Sequence, residues 1–385
     1  MSLNILLLST SQIKSEAIIE QFKKIFNKEI KLTTFDCSGC KLPEQPLIDG
    51  NNDGHYFAKE RMNYASKFKN FDDYDYVVSM ESGITINWSK VNLLKVNLLK
   101  VTFVENETNK YVDICYILIY HQGLLSRGMS SIIHIPEKYH SAIELGEIIK
   151  YNAKIYGYNK TIGEIIHEDD SQIDPKNWMK TLFGIDRKDQ IMEGLGRCLN
   201  NLNQKIIDKT TLLKAYKAYF DFPIKNVLFQ DVFPLFKNPY MLKLMVRLIA
   251  DHYQYDCLDY IVGLEARGFC IGVLIAYELG IGFIPIRKEG KLPGKTVKYT
   301  YVKEYGKDTS EIQCDDINDI NDINGKRVLV IDDLIATGGT MKAAIELLKT
   351  LECEIVDCCV LREVSELKDV YVKTLDGHKC TVLLQ

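Results

Sequence analysis

No stretch of the sequence reaches the ~20 consecutive apolar residues of a membrane span. The apolar run nearest the amino terminus, Ile5 to Leu8, is only as long as a strand, so neither an anchor nor a signal peptide is expected. A strong charge of one sign is also missing. The formal net charge is −4, which gives no hint of a nucleic-acid surface. There is no disulfide framework either: the 11 cysteines are scattered and odd in number, as suits a reduced cytoplasmic protein. One CxxC pair, Cys37 and Cys40, has no second pair to complete a metal or redox site, and Cys358-Cys359 stand side by side in a hydrophobic run. What remains is a globular composition. The 385 residues, 46% hydrophobic and 26% charged, suffice for two domains of ordinary size.

The pattern along the chain is α/β in both halves. A strand from Asn4 leads into an amphipathic helix, Ser15 to Phe26, with Ile18, Ile19, Phe22, Ile25 and Phe26 on one face. Strands are expected at 31–37, 76–79, 85–88, 97–104 and 112–120, and a helix at 188–200 closes the first half. A fresh helix at 209–220 opens the second. The polar stretch Asn200 to Asp208 therefore marks a boundary between domains 1–202 and 205–385. It lacks Gly and Pro, so continued helix is the alternative to a tether there. Two short tandem repeats, VNLLKVNLLK at 91–100 and three copies of DIN at 316–324, indicate local duplication and not a solenoid; the second reads as an exposed loop.

The strongest chemical signal is VLVIDDLIATGGT, Val328 to Thr340. An unbroken aliphatic run reads as a strand buried on both faces of a parallel sheet. Asp332 and Asp333 follow at its carboxyl end, where open α/β sheets hold ligands. The small residues Ala336, Thr337, Gly338, Gly339 and Thr340 then enter a helix near Met341. Converging backbone N–H groups and a helix N-terminus make a phosphate site, and paired carboxylates suit ribose hydroxyls or a Mg²⁺ ion. Further segments fit the same chemistry. In DYIVGLEARGF, 259–269, a strand ends beside Glu265, Ala266 and Arg267, a cluster suited to pyrophosphate. In IPIRKEGKLPG, 284–294, Arg287, Lys288 and Lys291 can neutralise a leaving diphosphate. VKEYGKD places Glu304 beside Tyr305, and the apolar segment 222–236 offers a purine-sized hood.

The Asp-Asp string resembles the phosphoribosyl-pyrophosphate (PRPP) motif of type I phosphoribosyltransferases. Together with GLEARGF, IRKEGKLPG and EYGK it resembles the adenine phosphoribosyltransferase family over 205–385. The resemblance implies a Rossmann-like parallel sheet, a mobile catalytic loop at 293–310, conversion of adenine and PRPP to AMP and pyrophosphate with Mg²⁺, and a homodimer. It implies Glu304, Arg267 and Lys288 as catalytic groups, with Glu304 doing acid–base work at the purine imidazole nitrogens. PRPP would be held by Arg267, Arg287, Lys288, Lys291, Tyr305, Asp332, Asp333 and the loop Ala336 to Thr340. Adenine would be held by Leu228, Phe229 and Gln230. Where the family commonly has Pro-Gly and Arg before the hood, this chain has Lys225, Asn226 and Gln230, and Ala266 replaces a frequent Ser. These departures leave the base preference open.

Residues 1–202 resemble the inosine/xanthosine triphosphatase family through LLSTSQIKSEAI (7–18), LPEQPLIDG (42–50), AKERMNYA (58–65) and DYVVSMESGI (75–84). A hydroxyl-rich loop with Ser9 and Thr10, followed by Lys14 at a helix start, suits a triphosphate. Arg61 is a candidate phosphate partner; Glu81, expected at a strand end, and Asp49 are the candidates for Mg²⁺. The chain departs from that family at Ser11, where Asn is usual, and at Trp178 and Met179, where a glycine-rich loop is expected. Two readings follow for this half: a hydrolase of ITP- or XTP-like nucleotides, and a nucleotide-binding module without turnover. The whole chain thus reads as a cytoplasmic fusion joining purine salvage to cleansing of the nucleotide pool. The alternative from another class is a PRPP- or purine-nucleotide sensor that catalyses nothing.

Overall fold

The computed structural model describes residues 2–43, 45–48, 54–86, 111–145, 148–150, 156–222, 225, 228–303, 306–314 and 323–384. Both sequence repeats fall mostly outside them, as does the strand expected at 97–104. The chain divides into two compact units, Met1–Gln204 and Lys205–Gln385. No helix among the described residues is long and apolar enough to cross a membrane.

The first unit contains β1 (Leu3–Leu7), α1 (Gln12–Phe26), β2 (Ile30–Thr34), β3 (Gln45–Ile48), α2 (His55–Ala65), β4 (Tyr76–Ile86), β5 (Tyr111–His121), β6 (Leu124–Met129), β7 (Ile133–His134), α3 (His140–Glu144), β8 (Ile148–Lys150), β9 (Tyr156–Tyr158), α4 (Ile162–Asp169) and α5 (Trp178–Phe183). Its sheet runs β2-β1-β4-β3-β9-β8, with β5 paired to β4 and carrying β6 and β7. The β1–β2, β1–β4 and β3–β4 pairs are parallel and the β4–β5 pair is antiparallel. Ile5, Leu6 and Leu7 are fully buried, as a central parallel strand requires. The two short strands expected at 76–79 and 85–88 are one strand, β4. Ser82 to Ile84 keep pairing with β5, so Glu81 lies inside a strand and not at its end.

Helix α6 (Arg187–Ala215) spans the residues on both sides of the unit boundary. Without Gly or Pro between 200 and 208, nothing in the local sequence breaks it. Ile191, Leu195, Cys198 and Leu202 recur at helical spacing and are buried. The expected second helix at 209–220 is corrected accordingly: Lys209 continues α6, the helix ends at Ala215, and Lys217–Phe220 is a strand.

The second unit continues with β10 (Lys217–Phe220), β11 (Leu228–Asp231), α7 (Phe233–Lys237), α8 (Pro239–Tyr253), β12 (Tyr260–Leu264), α9 (Arg267–Leu279), β13 (Gly282–Lys288), β14 (Thr296–Lys303), β15 (Gly306–Gln313), β16 (Arg327–Ile335), α10 (Gly339–Lys349), β17 (Glu354–Glu363), α11 (Lys368–Leu375) and β18 (Cys380–Val382). The order β14-β15-β13-β12-β16-β17-β18 is parallel from β13 to β18 and ends in an antiparallel hairpin. Strand β16 is covered on both faces. Val328 and Val330 join a core with Met341, Ile345 and Leu348 of α10, while Ile331 lies against Gly272 of α9. The segment expected as a loop at 293–310 forms β14 and much of β15. Thr296 to Val302 is rich in β-branched and aromatic residues, which favours a strand, and Thr300 and Thr309 bond across the pair at 2.9 Å.

Candidate functional site

The carboxyl ends of β12, β13 and β16 converge on one cluster of charge. Strand β16 extends through the acidic pair, with Asp332 registered against Val360 of β17. The Asp333 backbone N–H donates to Asp332 Oδ1 at 2.9 Å, and Asp333 Oδ2 meets Arg267 Nε at 3.0 Å. Asp333 is 4% exposed. Burial pushes both carboxyls above the usual range; the neighbouring Asp333 charge adds to the rise at Asp332, while Arg267 opposes it at Asp333. Arg267 opens α9, and Gly268 lets that helix approach β16: an added Cβ would sit 2.5 Å from the Ile331 carbonyl oxygen and 3.3 Å from Asp332 Oδ1.

Glu265, two residues before Arg267, organises the basic residues that follow β13. Its carboxylate accepts from Arg287 Nη2 at 2.9 Å, from the Lys288 backbone N–H at 3.2 Å and from Lys291 Nζ at 3.3 Å. The hydrogen bond from Arg287 comes first in holding the Glu265 carboxyl down to about 2, against the opposing effect of burial. The backbone N–H groups of Lys291 and Leu292 donate to Glu311 Oε1 at 2.8 and 2.9 Å, which fixes the chain at this point. Lys288 itself is exposed, and its Nζ stands 3.9 Å from Asp308 Oδ2.

Ala336, Thr337 and Gly338 connect β16 to α10. Gly338 has φ +81°, and a Cβ there would lie 3.1 Å from Tyr371 Cβ, so both conformation and space call for glycine. No side chain caps the start of α10, and Thr337 and Thr340 are exposed. First-turn N–H groups of that kind attract an anion. The hood lies on the other side of Arg267, whose guanidinium is 5.8 Å from the centre of the Phe229 ring. Phe222 packs edge-on against Phe229 at 5.0 Å. Leu228 is 54% exposed, and Gln230 Oε1 accepts from Arg362 Nε at 2.6 Å.

The family model for the phosphoribosyl transferase domain matches residues 234–376. Adenine phosphoribosyltransferase of Cricetulus griseus is 48% identical over 155 residues, which are 40% of this chain and 83% of that protein. The enzyme of the same name from Helicobacter pylori (strain G27) is 41% identical over 162 residues, covering 42% of this chain and 89% of that one. The chain belongs to the adenine phosphoribosyltransferase family. A solved structure of the family's Saccharomyces cerevisiae protein, complexed with an imino-altritol bisphosphate and adenine, is 38% identical, with a TM-score of 0.43 and coverage of 46% of this chain and 99% of that one.

Of the family positions read from sequence, the structure groups Arg267, Asp332, Asp333 and Phe229 by direct contact, and Arg287, Lys288 and Lys291 through Glu265. Glu304 and Tyr305 lie outside the described residues. Sequence reasoning missed the anchoring by Glu265 and Glu311 and the contact of Arg362 with Gln230. Glu265 stands inside a quoted motif, so adjacency was a usable signal; Arg362 is 132 residues from Gln230 and carries none.

The first unit has a polar cavity of about 300 Å³, lined among others by Ser11, Lys14, Arg61, Glu81, Asp113 and Arg187, with Trp178 in its wall. Lys14 Nζ donates to the Met80 carbonyl at 3.1 Å. Burial pulls its pKa down, while the Glu81 charge works against the fall. Arg61 pairs with Glu81, and Arg187 with Asp113 at 2.6 Å. Lys14, Arg61 and Glu81 thus line one cavity. Ser9 and Thr10 do not line the cavity; Ser9 Oγ accepts the Ser11 backbone N–H at 3.2 Å instead. Asp49 lies outside the described residues. Asp113 and Arg187 carried no sequence signal because their meeting depends on a separation of 74 residues.

Proposed function

We propose that the second unit transfers the phosphoribosyl group of PRPP to adenine, giving AMP and pyrophosphate in purine salvage. The observation that carries this is the Arg267–Asp333–Asp332 cluster, followed in the chain by the uncapped start of α10. In this reading Ala336 to Thr340 bind the 5′-phosphate through backbone N–H groups and the threonine hydroxyls, and Asp332 and Asp333 bind the ribose hydroxyls. Fixing both ends of the sugar converts a bimolecular encounter into an oriented one. As the bond from the anomeric carbon to diphosphate breaks, positive charge grows on the ribose and negative charge on the leaving group. Arg267, Arg287, Lys288 and Lys291 stabilise the latter. The bond to adenine N9 then forms and the N9 proton leaves, a task assigned to Glu304. Leu228, Phe229 and Gln230 form the hood over the base, with Tyr305 beside the PRPP.

Mg²⁺ fits this site, since two adjacent carboxylates, of which Asp333 alone is paired with Arg267, offer the hard oxygen donors it prefers. When bound, it supplies positive charge to the departing diphosphate. A cytoplasmic homodimer completes the proposal.

The test is product analysis on the full chain with Mg²⁺, PRPP and adenine, hypoxanthine or guanine. AMP from adenine is expected, with Glu304→Gln lowering kcat about 100-fold or more and leaving PRPP affinity unchanged. PRPP binding with no product from any base would favour a sensor that does not turn over.

For the first unit we propose binding of a non-standard purine nucleoside triphosphate such as ITP or XTP. Support comes from the cavity, whose named side chains place three cations against two carboxylates. That excess of positive charge suits a triphosphate. Phosphate release from ITP or XTP with Mg²⁺, assigned to Glu81 and Asp49, would mark it as a hydrolase; saturable binding without release would mark it as a binding module.

A further inference from the structure

The hood strands β10 and β11 pair antiparallel with each other and, among the described residues, stand outside the seven-stranded sheet. All four residues of β10 are exposed. A lone hairpin with so little burial is marginal by itself, so its position over the site depends on ties to the core. Arg267 beneath Phe229 is one such tie. A second comes from Arg362, near the carboxyl end of β17. Its Nε donates to Gln230 Oε1 at 2.6 Å, and its Nη1 donates to the Leu384 carbonyl at 2.7 Å. The same guanidinium lies 5.8 Å from the ring centre of Tyr216, the residue immediately before β10. An arginine only donates, so the Gln230 amide is oriented with its oxygen toward Arg362. One planar group therefore joins the hood strand, the end of a core strand and the carboxyl-terminal segment, and its fork holds them in fixed directions.

We propose that Arg362 is a positioning residue for base binding, which sets the seat of the hood through Gln230 without taking part in PRPP binding. Arg362 donates to Gln230 and Leu384, whereas Asp333 meets Arg267 and Asp332 accepts from the Asp333 backbone, and β11 carries the residues assigned to adenine. Loss of the fork should therefore loosen the hood and spare the phosphate sites. The inference rests on the transferase reading.

The experiment is steady-state kinetics of AMP formation by the full chain, with PRPP affinity measured separately by calorimetry. Arg362→Met should raise the adenine KM about 10-fold, the usual weight of a part-buried hydrogen bond to a charged group, with kcat and PRPP Kd within about twofold. If Arg362→Met does not fold, Arg362→Lys keeps the charge without the fork, and the same adenine-selective rise is expected. An unchanged adenine KM or a parallel rise in PRPP Kd would overturn the assignment. No AMP from the unaltered chain would overturn the transferase reading, and this inference with it, and is distinguishable from an active chain indifferent to Arg362.

Discussion

Asp332 holds a carboxyl that the folded chain makes hard to ionise, because it is buried beside Asp333. Its folded pKa lies above the ordinary 3.8, so the stability linked to its proton is present below that value and lost as pH rises toward the folded one. Asp332→Asn removes this cost. The ligand-free variant should melt about 2–4 °C higher at pH 8, with the gap closing near pH 4, while AMP formation falls; equal melting at both pH values would contradict the assignment. Glu265 shows the opposite sign. Its carboxyl is held at about 2, below the ordinary 4.5, so its contribution is full above about pH 4.5 and disappears as pH falls toward 2. Glu265→Gln should lower Tm at pH 7 but progressively less toward pH 3, and should raise the PRPP KM about 10-fold by releasing Arg287 and Lys291. A Tm deficit that does not shrink on acidification would argue that Glu265 acts by packing alone. The residue types were legible in sequence; their states were not, because a pKa depends on burial and on neighbours from other strands.

At the level of elements, the site depends on how closely α9 and α10 start against β16. Gly268→Ala would place a methyl 2.5 Å from the Ile331 carbonyl oxygen. The backbone must shift, so a loss of about 1–3 kcal/mol is expected in chemical denaturation. AMP formation should fall with it, because Arg267 moves with the helix start; unchanged stability would mean that the helix yields without cost. Strand β16 and helix α10 were readable from the aliphatic run and the small-residue loop that follows it. The hairpin β14–β15 was not, because the same stretch carries a motif associated with a mobile loop, and only pairing along an antiparallel register makes its alternation count. The end of α6 at Ala215 was hidden for a similar reason: Lys217 to Phe220 takes its conformation from β11, which comes later in the chain.

At the scale of the molecule, two compact units carry two separate concentrations of charge. If each works on its own ligand, a change in one should be silent in the other. Lys14→Met should weaken ITP binding about 10-fold or more and leave AMP formation within about twofold. Loss of AMP formation in that variant would show that the two activities are coupled.

The sequence by itself determined the α/β pattern and the family of the second unit. Those follow from local order: aliphatic runs, small-residue turns, and charges placed a few positions apart. Tertiary structure decided what the charges do. Glu265 with Arg287, Arg362 with Gln230, and Arg187 with Asp113 meet across separations of 22, 132 and 74 residues. No local pattern encodes such meetings, since each depends on which elements the fold brings side by side.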